Sequence, residues 1–224
     1  MFLGFGASVR LNWRAASRYA ERMRSRRELP KTLTAEDLHR LLATPNLEVP
    51  TGLRDRCVLE LMVRCGLRVS EVCGLHLRDV DWREGEIRLR PEITKGGKEA
   101  VAYLDAPTLA LLERWKAVRR QFAAGKPHLF VCIRSGQRGE QLDRRRVWEM
   151  TCRRAQKAGI EQAVWNHTLR HTFATSALAD GFTIREVQRL MRHEDIRTTA
   201  IYLELREPAL KAKVRARRDH EVAP

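Results

Sequence analysis

Apolar positions recur with a period near 3.6 over most of this chain and with a period of 2 over one short stretch, and the changes of period mark out its elements. Thr34 with Asp37 three residues on reads as a capping box opening a helix from Ala35 to Leu42. Val58, Leu59, Leu61 and Met62 form one face of a second helix, Leu53 to Cys65, which Gly66 closes as a C′ residue. Ser70 is placed to cap a short helix ending near Gly74. Alternation then takes over: Glu86 to Arg90, with Ile87 and Leu89, and Ala100 to Leu104 read as paired strands joined by a Lys95-Gly96-Gly97-Lys98 turn.

Helical spacing returns at residues 107–122, where Leu109, Leu111, Leu112, Trp115 and Val118 share a face. Residues 128–133 are a short apolar run that fits a strand or an extended connector. Leu142 to Ala158, stopped by Gly159, is helical again. Leu169, Phe173, Ala174, Ala177 and Leu178 then mark a helix that Gly181 ends, and residues 183–192 and 196–205 supply two more. The expected fold class is mainly α with one small antiparallel β-sheet (α+β).

Composition narrows the partner. The 224 residues are 32% charged and 43% hydrophobic, enough to bury a core and unlike a disordered chain. A formal net charge of +15 points to a polyanion, although ribosomal and membrane-surface proteins are basic too. No apolar run approaches the ~20 residues of a spanning helix, and Met1 to Gly6 is too short for a signal-peptide core. The expectation is a cytoplasmic protein with no membrane partner. Five cysteines, none in a Cys-x-x-Cys pair, indicate neither a zinc site nor a disulfide framework, and Cys57 and Cys65 read as small core residues.

Residues 1–29 carry seven arginines against two glutamates, with Arg10, Arg14, Arg18 and Arg22 at four-residue spacing. That pattern fits a phosphate-contacting arm and a solvated helix face equally well. Pro30 ends the segment. The tail, 208–224, is rich in Lys, Arg and Ala.

The candidate chemistry centres on Asn-His-Thr-Leu-Arg-His-Thr-Phe-Ala-Thr, 166–175. His167 and Arg170 lie three residues apart, on one helical face, and together suit an anionic oxygen. Taken alone such a pair is weak, as are Arg68 in Gly-Leu-Arg-Val-Ser-Glu, Lys95 in its Gly-rich turn, His193, and Tyr202 nine residues later. In this order and in these contexts, however, the six together resemble the catalytic domain of the tyrosine recombinases, the phage-integrase and Xer family.

The resemblance implies the DNA breaking-rejoining fold over residues 30–207, with the basic segment 1–29 ahead of it and the basic tail behind. It implies double-stranded DNA as partner, self-association into dimers and tetramers on DNA, and no metal or small-molecule cofactor. Each residue then takes a part. Arg68 and Arg170 hold the two non-bridging phosphate oxygens and stabilise the pentacoordinate transition state. Lys95 protonates the leaving 5′-oxygen, with Lys98 as the alternative if the turn register is slipped. His167 serves as general base or phosphate contact, His193 donates to a phosphate oxygen, and Tyr202 is the nucleophile. Glu71, beside Arg68, reads as a supporting partner and not as a metal ligand.

Two departures stand out. Arg192 occupies the position before His193 where the family usually has glycine, so either the helix ends differently or the arginine reaches a phosphate itself. The helical core-binding domain that usually precedes the catalytic domain is not represented, which fits a minimal recombinase or a fragment of a longer one. A type IB topoisomerase shares the same chemistry, and a decayed DNA-binding regulator could keep the fold; both are rivals to the recombinase expectation.

Overall fold

The computed structural model describes residues 30–134 and 136–204. The arm at 1–29 and the tail at 208–224 lie outside the described residues, and with them the expectations that concern those segments. Helix α1 (Ala35–Ala43) starts where Thr34 Oγ1 accepts the Asp37 N–H at 3.0 Å, with Glu36 and Asp37 in its positive first turn. Helix α2 (Pro50–Arg64) begins three residues before the expected Leu53, because Pro50 already has the φ of a first helical turn. Its buried residues, among them Leu53, Cys57, Val58, Leu61 and Met62, make it the centre of the main core. Gly66 follows at φ +58, and a Cβ there would stand 2.4 Å from the Phe173 ring. Only glycine allows both the left-handed turn and that close approach.

Helix α3 (Val69–Gly74) corrects the expected cap. Its N-cap is Arg68, and the Glu71 carboxylate reaches back to accept the Arg68 N–H at 2.7 Å. Ser70 therefore falls inside the first turn. After a 3₁₀ turn (Leu77–Asp79) comes a three-stranded antiparallel sheet: β1 (Val80–Asp81), β2 (Glu86–Leu89) and β3 (Ala100–Tyr103), in that spatial order. Ile87, Leu89 and Ala102 face the core, so the alternation read from the sequence holds. Leu89 pairs with Ala100, so β2 and β3 are joined by residues 90–99, in which a 3₁₀ turn (Pro91–Ile93) precedes the expected turn at Lys95 to Lys98. Strand β1 has no counterpart in the sequence pattern, being two residues long and defined only through its pairing.

Helix α4 (Ala106–Arg119) packs against α2 through Thr108, Leu112 and Trp115, and the Trp115 indole N–H donates to the Leu129 carbonyl at 2.9 Å. The 128–133 run is an extended connector touching neighbours through single bridges, His76 to His128 and Val131 to Gln141. Helix α5 (Arg144–Lys157) opens at Asp143, which caps Arg146 N–H at 2.8 Å, and is tied to α2 by the Arg154–Asp55 pair at 2.7 Å. Helix α6 (Asn166–Ala179) buries the expected stripe, Leu169, Phe173, Ala174, Ala177 and Leu178, and ends at Gly181 with φ +100. Helices α7 (Ile184–Met191) and α8 (Arg197–Glu204) complete the described chain. They share a smaller core with α6, made of Phe173, Ala174, Ala177, Leu178, Val187, Met191 and Tyr202. Among the described residues no helix is long and apolar enough to cross a membrane.

Candidate active site

Between α3, the 90–99 loop, α6 and the α7–α8 segment lies a cavity of about 630 Å³, and all six residues singled out from the sequence line it. Each is held there by local structure. Arg68 sits at the start of α3, its guanidinium on Glu71 Oε1 at 2.9 Å and 22% exposed towards the cavity. Glu71 is fully buried, and its other oxygen is shared between the Arg68 N–H and Arg192 at 3.0 Å. It braces two arginines, as expected of a supporting partner.

Arg170 comes from α6. Its two Nη groups donate to the backbone carbonyls of Gly66 and Met191, which fixes the fork while leaving further N–H donors for the cavity. The side chain is only 5% exposed. Burial, with Arg68 and Arg192 nearby, brings its pKa down to about 9, so it remains cationic at neutral pH. A bound anion would relieve the crowding of these cations.

His167 stands one turn before Arg170, lining the cavity with its side chain exposed. Desolvation, then Arg170, Arg68 and Lys95, lower its pKa. His193 follows α7, with Nδ1 3.0 Å from Thr199 Oγ1 and its carbonyl accepting from Gln188 Nε2 at 3.1 Å. Burial and the three arginines bring it down to about 4, so its ring is neutral at pH 7.

Lys95 and Lys98 occupy the same exposed loop but in different company. Lys98 pairs with Glu194 at 3.2 Å, across the cavity mouth, while the Lys95 ammonium makes no such bond among the described residues. Thr94 Oγ1, donating to the Lys98 carbonyl at 2.8 Å, and Gly97 at φ +65 shape the turn that presents Lys95.

Tyr202 is 1% exposed, packed in the smaller core with its hydroxyl directed to the cavity wall. Burial raises the phenol to about 12, against the pull of Arg170. Its hydroxyl lies 2.6 Å from His171 Nδ1. Reading the motif as His-x-x-Arg passed over His171. The available signal was its place four residues after His167, which puts both histidines on the face that carries Arg170.

Arg192 settles neither way expected of it. It ends α7 in the left-handed region, φ +54 and ψ +46, where a glycine would sit without strain. Its guanidinium turns inward, to the Leu190 carbonyl at 2.7 Å, the Gly66 carbonyl at 2.9 Å and Glu71. The helix thus ends where the family's glycine would end it, and the side chain braces the two segments that carry Arg68 and Arg170. Among the described residues no group of three His, Cys, Asp or Glu is placed to hold a metal ion.

Known proteins are similar to this chain in sequence and in fold. Residues 31–208 match the phage integrase family. The tyrosine recombinase XerD of Pseudomonas aeruginosa is 40% identical over 186 residues, 82% of this chain and 60% of that protein. The tyrosine recombinase XerC of Thermodesulfovibrio yellowstonii is 33% identical over 192 residues, 83% of this chain and 62% of that protein. The chain therefore spans about 60% of the length of these curated relatives. Among solved structures, the XerA recombinase superposes with a TM-score of 0.73 at 29% identity, covering 86% of this chain and 67% of that one. The XerH site-specific recombinase, bound to palindromic difH substrate in a post-cleavage complex, superposes with 0.71 at 25% identity, covering 84% and 53%.

Proposed function

This chain belongs to the phage integrase family, and from that premise we propose that it is a site-specific DNA recombinase that cuts and rejoins strands through Tyr202. The observation that carries the reading is the convergence of Arg68, Lys95, His167, Arg170, His193 and Tyr202 on one cavity from segments far apart in sequence. Double-stranded DNA is the substrate, as the complex with difH suggests for the XerH relative, and the +15 charge suits it.

The placement supports the roles that the family resemblance implies. Arg68 and Arg170, each fixed by carboxylate or carbonyl partners, hold the non-bridging oxygens and stabilise the charge of the pentacoordinate transition state. Two fixed cations supply neutralisation that a metal ion supplies in other phosphoryl transfers, so the reaction needs neither metal nor ATP. His167 and His193 contact the same phosphate. Tyr202 attacks phosphorus, and the Lys95 ammonium gives its proton to the departing 5′-oxygen. The product is a 3′-phosphotyrosine and a free 5′-hydroxyl, and attack by another 5′-hydroxyl reverses the step. At a pKa of about 12, ionising the phenol in the free protein costs about 7 kcal/mol at pH 7. The nucleophile is therefore inactive until bound DNA makes loss of its proton favourable.

Assembly into a tetramer on DNA, with exchange of C-terminal segments, belongs to the same proposal. Neither rival is favoured: the relatives matched carry recombinase names, and the full set of six side chains is unlike a decayed regulator. The test is incubation with duplex DNA nicked near the crossover so that cleavage cannot be reversed. A covalent complex that forms in EDTA and leaves a 5′-hydroxyl supports the reading. Nicking of any supercoiled plasmid with relaxation and no strand exchange would favour topoisomerase instead.

A further inference from the structure

The six residues account for the phosphate and the leaving group, and of them only His167 is a candidate for taking the tyrosine proton. The hydroxyl of Tyr202 has a side-chain partner in His171 Nδ1, at 2.6 Å. The two rings lie 5.7 Å apart between centroids and meet at 50°, so the contact is a directed hydrogen bond and not a stack. We propose that His171 is a further catalytic residue, accepting the Tyr202 proton as the tyrosine attacks the DNA phosphate and returning it on rejoining. This rests on the reading of Tyr202 as nucleophile.

The alternatives nearby are already engaged. Glu71 spends one carboxylate oxygen on Arg68 and the other on the Arg68 N–H and Arg192. His193 Nδ1 faces Thr199 Oγ1. His167 stands ring to ring with His171 at 6.4 Å and not against the hydroxyl. Among these side chains it is His171 that touches the hydroxyl.

The protonation states are also right. Burial, His167 and Arg170 bring His171 down to about 4, so the ring is neutral at pH 7 and has a lone pair to offer. Tyr202, raised by burial, keeps its proton in the free protein. The charged and titratable groups around the pair are the Arg170 cation beside both, with the His167 and His193 rings facing His171. A bound phosphodiester adds a negative charge beside Arg170 and these rings, which raises the basicity of His171 and couples proton transfer to substrate occupancy.

The step balances. The Tyr202 Oη–P bond forms and the P–O5′ bond breaks. The phenol proton passes to His171 Nδ1, and a proton from Lys95 passes to the 5′-oxygen. In rejoining, a 5′-hydroxyl gives its proton to neutral Lys95, attacks phosphorus, and the phenolate recovers its proton from the His171 imidazolium. No other reactant is needed.

The experiment compares the full chain with His171→Gln and His171→Ala in single-turnover cleavage of nicked duplex, with folding checked by circular dichroism. Glutamine can accept the hydrogen bond and hold the tyrosine but cannot carry the proton at neutral pH. Both variants should lose roughly 10²- to 10⁴-fold in cleavage and in rejoining while DNA binding is kept. Replacing Tyr202 by a fluorinated tyrosine, which ionises more readily, should restore cleavage in His171→Gln by about tenfold or more, with little gain in the wild type. Cleavage by His171→Gln at the wild-type rate, or no rescue by fluorotyrosine, would reduce His171 to a positioning residue and overturn the proposal. Absence of any adduct in the wild type would instead overturn the recombinase reading.

Discussion

Arg192 carries a conformational cost that can be measured against its bonds. At φ +54 and ψ +46, a residue with a Cβ pays about 1–2 kcal/mol that glycine does not. Against this stand its bonds to the Leu190 carbonyl, the Gly66 carbonyl and Glu71. Neither of the last two acceptors is stranded without it, since Arg170 still donates to Gly66 and Arg68 still pairs with Glu71. Arg192 is itself largely buried, and desolvation is the main cause of its lowered pKa, so its removal also relieves a penalty. Three bonds at about 1 kcal/mol net each, less the strain, give Arg192→Gly a loss of about 1–2 kcal/mol. Arg192→Ala loses the same bonds and keeps the strain, for about 3 kcal/mol. In a chain of 224 residues each kcal/mol moves Tm by about 2–4 °C. Thermal unfolding followed by circular dichroism without DNA should therefore rank wild type above Arg192→Gly, and Arg192→Ala about 4 °C lower again. Alanine equal to or above glycine would refute the strain; glycine above wild type would show that the inward bonds contribute nothing net.

Three more perturbations bear on the site and its scaffold. Lys95→Ala should slow cleavage roughly 10²- to 10⁴-fold, and a substrate with sulfur as the bridging 5′ atom should restore it; restoration in Lys98→Ala instead would move the general acid along the loop. Gly66→Ala, with its Cβ meeting Phe173 at 2.4 Å and φ at +58, should cost about 2–4 kcal/mol in urea unfolding, and a neutral result would contradict the packing of α2 against α6. Stability should fall with acid: His171 and His193, near 4 in the fold and near 6.5 when unfolded, take up protons only on unfolding between those values. The unfolded state then binds more protons, so unfolding free energy declines from about pH 6.5 to about pH 4, by up to about 3 kcal/mol for His171 and by less for the more solvent-screened His193. Urea midpoints at pH 7 and pH 5 check this, and the double variant His171→Gln, His193→Gln should show a flatter dependence.

The helices were legible because their signals are local. Thr34, Pro107, Gly66, Gly159 and Gly181 punctuate the apolar stripes, and the stripe on α6 is buried as spaced. The site residues were legible because they lie in short motifs whose order resembles a known family. What escaped depends on partners distant in sequence. Strand β1 exists only by pairing with β2, and the long 90–99 loop is fixed by the Leu89–Ala100 register. Arg68 takes the cap from Ser70 because Glu71 reaches back to the Arg68 N–H. The inward turn of Arg192 depends on Gly66 and Glu71, more than 120 residues earlier. The partnership of His171 with Tyr202 requires α8 to lie across α6, which no spacing within either helix announces.

The central claim is that Tyr202 becomes covalently joined to a DNA 3′-phosphate. Trapped complexes on nicked duplex, digested with nuclease and protease, should give a peptide containing Tyr202 with a nucleotide 3′-phosphate on the phenol oxygen, identified by mass spectrometry. Tyr202→Phe should give no such peptide while binding the same DNA, since only the hydroxyl is lost from a packed ring. A nucleotide found on another side chain such as Tyr103, or an adduct that persists in Tyr202→Phe, would contradict the account.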